Sequence, residues 1–204
     1  ICITETWLND SFPDGLIDPK GHYNILRYDR SVSNGGGVCI LTHKSFAAVP
    51  IEFDNSANLE ISALDAIIGE TKYRFINVYR KPICDVTNAI ELINCLTLLM
   101  NVSWPVFMTG DFNCPDIDWD VLTAPRDGVQ NAILDFACDV GLVQMVSQAT
   151  RCNNIIDLVL TTHPIFVSKL EVHEPFGTRE CSDHNTIEFF IDVKAEHCQH
   201  DHIN

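Results

Sequence analysis

Short apolar runs closed by Asn, Asp, Gly or Pro recur along the chain. That punctuation predicts β-strands. The runs are Ile1–Thr4, His22–Arg27, Gly37–Thr42, Phe46–Ile51, Leu59–Ile68, Tyr73–Tyr79, Val106–Thr109, Ile156–Thr161, Phe166–Val172 and Thr186–Val193. Two segments carry helical spacing instead. Leu92, Leu96, Leu99 and Met100 form one stripe in Asn88–Met100, with Asn88 and Glu91 as a cap pair. Val129, Ile133, Phe136, Ala137 and Val140 share a face in Val129–Val140, with Asp127 and Gln130 at its start and Gly141 at its end. Strands in the majority, with helices falling between them, predict an α/β sandwich: two sheets face to face, helices on the outer faces. No repeat or linker interrupts the pattern, so one domain is expected.

Composition narrows this picture. The chain has 204 residues, 46% hydrophobic and 20% charged, enough for a packed core. No apolar run approaches the roughly 18 residues of a membrane span, so no membrane partner is expected. The net charge of −15 argues against a protein that coats nucleic acid through a basic face. It leaves room for an enzyme that meets DNA through a bound cation and a few arginines, and acidic sites are what hard divalent metals require. The nine cysteines form no Cys-x-x-Cys pair, which argues against a zinc module, and their odd number with several in strand or helix cores points to a reducing compartment. Ile1 reads as mid-strand, so the expectation is a fragment of a longer protein.

Polar residues stand at the ends of several apolar runs. They are Glu5, Tyr79 with Arg80, Asp111 with Asn113, Asp157, and Ser182-Asp183-His184. Each has a plain reading. Glu5 is a solvated strand end, Tyr79-Arg80 edge packing, Asp111 and Asn113 an Asx turn, and His184 a surface turn. Asp157 among Ile155, Ile156, Leu158 and Val159 needs a partner if buried. Brought to one rim, the set instead suits metal-assisted phosphodiester cleavage. Carboxylates hold Mg2+, a carboxylate or neutral His activates water, and amide and imidazole donors bind the developing charge.

The order of the motifs carries a resemblance. "TETWL", "RYDRSVSNGGGVCIL", "NVYRKP", "GDFNCPDIDW", "ATRCNNIIDLVLT" and "CSDHNTI" span nearly the whole chain. It resembles the endonuclease/exonuclease/phosphatase superfamily, and within it the endonuclease domain of non-LTR (LINE-type) retrotransposons. The resemblance implies a four-layer αββα sandwich over residues 1–195, lacking the family's first strand and its Asn, followed by a tail at 196–204. It implies Glu5 as main metal ligand, with Asp183 as a further metal or network carboxylate. Asp111 would position or deprotonate the attacking water. Asn113 would contact the phosphate, and Tyr79 the phosphate or leaving group. His184 would act on the scissile phosphate or nucleophile, oriented by Asp157. Thr150, Arg151 and Ser182 would touch the DNA backbone. The implied cofactor is Mg2+, with Mn2+ as substitute. The implied reaction nicks chromosomal DNA in the nucleus, and the freed 3′-hydroxyl primes a reverse transcriptase domain located C-terminally. Other phosphodiesterases and phosphatases share the fold, and a decayed, inactive copy would carry the same motifs. The tail's His197, Cys198, His200 and His202 read as an adventitious metal binder.

Overall fold

The computed structural model describes residues 1–31, 35–83, 86–126, 128–177 and 182–193. The tail from 196 and its histidines therefore lie outside the described residues, as does Asp127. The elements are β1 (Cys2–Thr4), α1 (Asp14–Ile17), β2 (Tyr23–Tyr28), β3 (Val38–His43), β4 (Ala47–Pro50), β5 (Glu60–Ile68), β6 (Thr71–Tyr79) and α2 (Val86–Met100). They continue with β7 (Val106–Asp111), α3 (Val129–Asp139), β8 (Val143–Gln144), β9 (Asp157–Thr161), β10 (Val167–His173) and β11 (Thr186–Ile191).

One layer is a six-stranded sheet in the order β4-β5-β6-β7-β9-β8. Its pairs are antiparallel except β6–β7, which is parallel and whose connection holds α2. The second layer comes in two pieces, β1-β3-β2 and β10-β11. Among the described residues, β1 pairs with β3 and β11 with β10, each along one edge only.

Strand alternation sorts the side chains of the large sheet. Ile76, Val78, Met108, Leu158 and Leu160 point to one face and pack with Leu92, Leu96 and Leu99 of α2 and Ile133, Phe136 and Ala137 of α3. The opposite face meets the second layer. Phe107 stacks on Phe189 of β11 with ring centroids 6.1 Å apart. The Asn77 amide reaches across to the carbonyls of Ile3 (2.9 Å) and Cys39 (3.1 Å). Cys39, Cys95 and Cys114 are buried, as small hydrophobes are.

Local departures have local causes. α2 begins at Val86, so Asn88 lies inside the helix and is not its cap. The apolar stripe carries the helix there without it. α3 is preceded by Gly128 and followed by Gly141 at φ +70°, the left-handed position that stops a helix. The helices α2 and α3 cover the large sheet. Beside the second layer lies α1, a four-residue turn that buries nothing and sets Asp14 3.5 Å from Arg27 of β2.

Candidate active site

Register builds the site. Tyr79 of β6 is opposite Asp111 of β7, and Asp111 is opposite Asp157 of β9. Neighbours across a sheet share a face, so these three side chains stand in one row at one end of the sheet. The face is the one that meets the second layer. From that layer β1 runs into Glu5, and the segment before β11 brings His184.

The strand end is shaped by its own sequence. In "GDFNC", period-two alternation continues past β7. Asp111 and Asn113 turn toward the site, while Phe112 and Cys114 sink into the helix-side core, 0% and 1% exposed. Burying Phe112 contributes roughly 1.5–3 kcal/mol toward holding the turn. Gly110 sits at φ +128°, where a Cβ would lie 1.9 Å from the Val78 carbonyl oxygen. Only glycine lets β7 approach β6 this closely just before Asp111.

Asp111 is 1% exposed. Its Oδ1 accepts from the Asn113 backbone N–H at 2.9 Å, and its Oδ2 from the Asn113 amide at 2.8 Å. The Asx turn and the site are therefore the same object. The Asn113 amide also donates to the Arg80 carbonyl at 2.8 Å. Both amide bonds tie Asn113 to the loop that carries Asp111, while its side chain also lines the neighbouring cavity. Arg80, quoted within a motif but given no role by it, is buried and donates to the carbonyls of Phe112 and Asn113. It clamps the loop that carries the carboxylate.

His184 Nδ1 lies 2.9 and 3.0 Å from the two oxygens of Asp157. Asp157 thus has the partner its apolar neighbours demand. The Ser182 hydroxyl accepts the His184 N–H at 3.1 Å, so Ser182 sets the histidine's backbone. Thr150 is fully buried, and its hydroxyl accepts the N–H groups of Ile156 (3.1 Å) and Asp157 (3.0 Å). It cannot touch a DNA backbone; it fixes the start of β9. Arg151 is partly exposed and pairs with Asp183 at 2.8 Å. Asp183 is therefore engaged outward, with its Oδ1 3.8 Å from His184 Nε2. Arg151 and Asp183, with Arg80, Asn113, Pro115 and Gln130, line a cavity of about 660 Å³ beside the cluster.

The Tyr79 hydroxyl donates to Glu5 Oε1. Glu5 adopts a left-handed backbone, φ +50°. Arg30 lies 5.6 Å from the centre of the Tyr79 ring and is paired with the buried Glu60, which also accepts the Gly37 N–H. This buttress of Tyr79 was not singled out from the sequence. Its signal was the "DR" of the glycine-rich motif, whose partner Glu60 stands 30 residues on.

Burial pushes the Asp111 carboxyl up to about 7, with the Asp157 charge adding to the rise and His184 and the Asn113 N–H opposing it. The hydrogen bond to Asp157 raises the His184 imidazole, against the effect of burial. Burial, then the bond to Glu5, raises the Tyr79 phenol. The Arg151 hydrogen bond holds Asp183 below the usual carboxylate range despite slight burial. A carboxyl raised to about 7 beside a histidine whose charged form is favoured is an acid–base pair set by environment.

Ligand atoms of Asp111, Asp157 and His184 all lie within 4.8 Å of one another. The Glu5 charge also reaches Asp111. The carboxylate oxygens of Asp111 and Asp157, gathered this closely, fit a hard divalent cation that keeps several waters. Asp183, paired with Arg151, and Glu5, bonded to Tyr79, stand beside this cluster and are not among its three residues.

Comparison with known proteins agrees with the fold. The TRAS1 endonuclease domain, from a telomere-specific non-LTR retrotransposon, superposes with a TM-score of 0.64 at 13% identity. The match covers 85% of this chain and 82% of that one. The Neisseria 3′ phosphatase NExo, bound to a product DNA hairpin, gives 0.70 at 16% identity, covering 94% and 88%. An AP endonuclease from Archaeoglobus fulgidus gives 0.60 at 14%, covering 94% and 88%. No curated protein matches the sequence. A family model described as endonuclease–reverse transcriptase matches residues 73–188, which hold Tyr79, Asp111, Asp157 and His184. The chain therefore belongs to that family of the endonuclease/exonuclease/phosphatase superfamily.

Proposed function

We propose that this domain is a divalent-metal-dependent DNA endonuclease that nicks one strand of chromosomal DNA, leaving a 3′-hydroxyl to prime reverse transcription. The observation that carries the reading is the row Tyr79–Asp111–Asp157 at one end of the large sheet, completed by His184 bonded to Asp157. The family's description as endonuclease–reverse transcriptase and the likeness to the TRAS1 domain support it. Mg2+ is the cofactor this donor set suits, with Mn2+ as substitute, and Asp111 and Asp157 would hold it with Glu5 close by. When bound, it polarises the scissile phosphate and neutralises charge on the leaving oxygen.

The chain's own residues divide the remaining work. The Asp111 carboxylate positions the attacking water. Asn113 and Arg80 keep its carboxylate aimed. His184, held by Asp157 and with its charged form favoured by that bond, offers its imidazole to the phosphate oxygens as negative charge builds. Tyr79 fixes Glu5 and faces the same row. A reverse transcriptase domain in the same gene product and a nuclear site of action follow from this reading.

The test is nicking of supercoiled plasmid by the gene product that carries these residues, with Mg2+, Mn2+ or EDTA. The reading expects open circles with either metal, none with EDTA, and nicks that a DNA polymerase extends directly. Intact plasmid, with hydrolysis of a phospholipid or an RNA tail, would move the function elsewhere in the superfamily. No hydrolysis of any of these would mark an inactive copy.

A further inference from the structure

Two residues beyond Glu5, Trp7 adopts φ +55°, a left-handed conformation that is a marked outlier for a bulky side chain. Its indole is 65% exposed. Neither burial nor an indole hydrogen bond rewards this arrangement among the described residues. The backbone nevertheless enforces it. The Trp7 N–H donates to the Gly36 carbonyl at 2.9 Å, and the Thr6 N–H to that of Gly37 at 3.3 Å.

The glycine triplet makes room for the turn. A Cβ on Gly37 would lie 2.5 Å from the Thr6 hydroxyl, and one on Gly36 would lie 2.2 Å from the Arg30 guanidinium. A Cβ on Gly35 would sit 3.4 Å from Cε2 and Cζ2 of the indole. The ring therefore rests against Gly35, and much of its surface stays open to solvent. The "TETWL" and "GGGV" motifs meet here, and the chemistry assigned to Glu5 uses neither Trp7 nor the triplet.

We propose that Trp7 is a stacking platform for a nucleobase of the strand whose phosphate sits at the Asp111–Asp157–His184 cluster. The proposal rests on the nuclease reading above. Its position follows from continuity: Trp7 adjoins Glu5, Glu5 is bonded to Tyr79, and Tyr79 is opposite Asp111. A strained, exposed aromatic at a functional rim is pre-organised for a flat ligand. A nucleobase is the flat group that a strand held by its phosphate brings there. Every base has a π-face, so the contact adds affinity without reading sequence.

The experiment measures binding in EDTA, where no cleavage occurs, using the full gene product. The probes are a single-stranded oligonucleotide and a chain of abasic tetrahydrofuran units of equal length and charge. Loss of one stacked base is worth about 5- to 100-fold in Kd. Trp7→Ala is expected to weaken the oligonucleotide by that factor, to leave the abasic chain unchanged, and to keep Tm at or above wild type. Trp7→Tyr is expected to recover most of the affinity. Fluorescence present in wild type and missing from Trp7→Phe is expected to quench with the oligonucleotide only.

Equal weakening on both probes, or none, overturns the stacking role while the nuclease reading stands. Shielding of the Trp7 signal by rising protein concentration without DNA assigns the ring to a protein contact and also overturns it. Failure of the wild type to bind either probe, in EDTA and equally with Mg2+ added, overturns the nuclease reading itself.

Discussion

Asp111→Asn offers a sharp test of the site's electrostatics, and its magnitude follows from the structure. Burial raises the Asp111 carboxyl from 3.8 to about 7. Between those values the unfolded chain has released the proton and the folded chain still holds it. Stability therefore falls as pH rises from about 4 to about 7 and is level above that. A shift of roughly three units, at 1.36 kcal/mol each, amounts to about 4 kcal/mol. Asparagine carries no charge to bury. It keeps an oxygen for the Asn113 backbone N–H but turns an NH2 toward the Asn113 amide, a loss of about 1 kcal/mol. The variant should thus be about 1 kcal/mol less stable than wild type at pH 4 and about 3 kcal/mol more stable at pH 8. For a domain of this size that is a Tm gain of roughly 6–12 °C at pH 8. The Asp157–His184 pair is present in both proteins but titrates together with Asp111, so the difference reports the cluster as a unit. Metal-free thermal melts across this pH range check it. Adding Mg2+ at pH 8 should then stabilise the wild type and not the variant. A Tm difference that stays constant from pH 4 to pH 8 would refute the argument, because it would mean that Asp111 is not held protonated by burial.

Other positions give independent checks. Gly110→Ala should destabilise by at least about 3 kcal/mol, since its Cβ collides with the Val78 carbonyl in a rigid sheet; urea unfolding measures it. Asp157→Asn should lower the nicking rate by about 10²- to 10⁴-fold and shift the His184 titration, followed by NMR, toward lower pH, because the bond that raises it is lost. Tyr79→Phe removes the hydroxyl that fixes Glu5 and should weaken metal binding by about 10- to 100-fold in calorimetry, with little change in Tm.

Much of the site was legible because chemistry and register share one period. The alternation that marks β7 as a strand also assigns Asp111 to one face and Phe112 to the other, and β6 and β9 repeat the pattern with Tyr79 and Asp157. What the alternation could not supply was contact across layers. The Asp157–His184 bond joins residues 27 apart, and the Arg30–Glu60 buttress joins residues 30 apart. Thr150 shows the opposite case. Its motif suggested contact with substrate, whereas it is fully buried and its hydroxyl is taken by the N–H groups of Ile156 and Asp157. Polar side chains at turns compete for local N–H and C=O groups, and a sequence does not reveal which partner wins. The early start of α2 has a related origin. Its apolar stripe fixes the helix, but end residues are set locally, and the helix is already under way at Val86, ahead of Asn88.

If the Asp111–Asp157–His184 cluster hydrolyses phosphodiesters in DNA, removing its side chains must abolish nicking. The direct measurement compares single-turnover nicking of supercoiled plasmid by the wild-type gene product, Asp111→Ala and His184→Ala, in Mg2+ at neutral pH with equal folded protein. Mg2+-dependent nicking by the wild type is expected, with a loss of at least about 100-fold in each variant. Nicking at wild-type rate in either variant would contradict that role for the cluster.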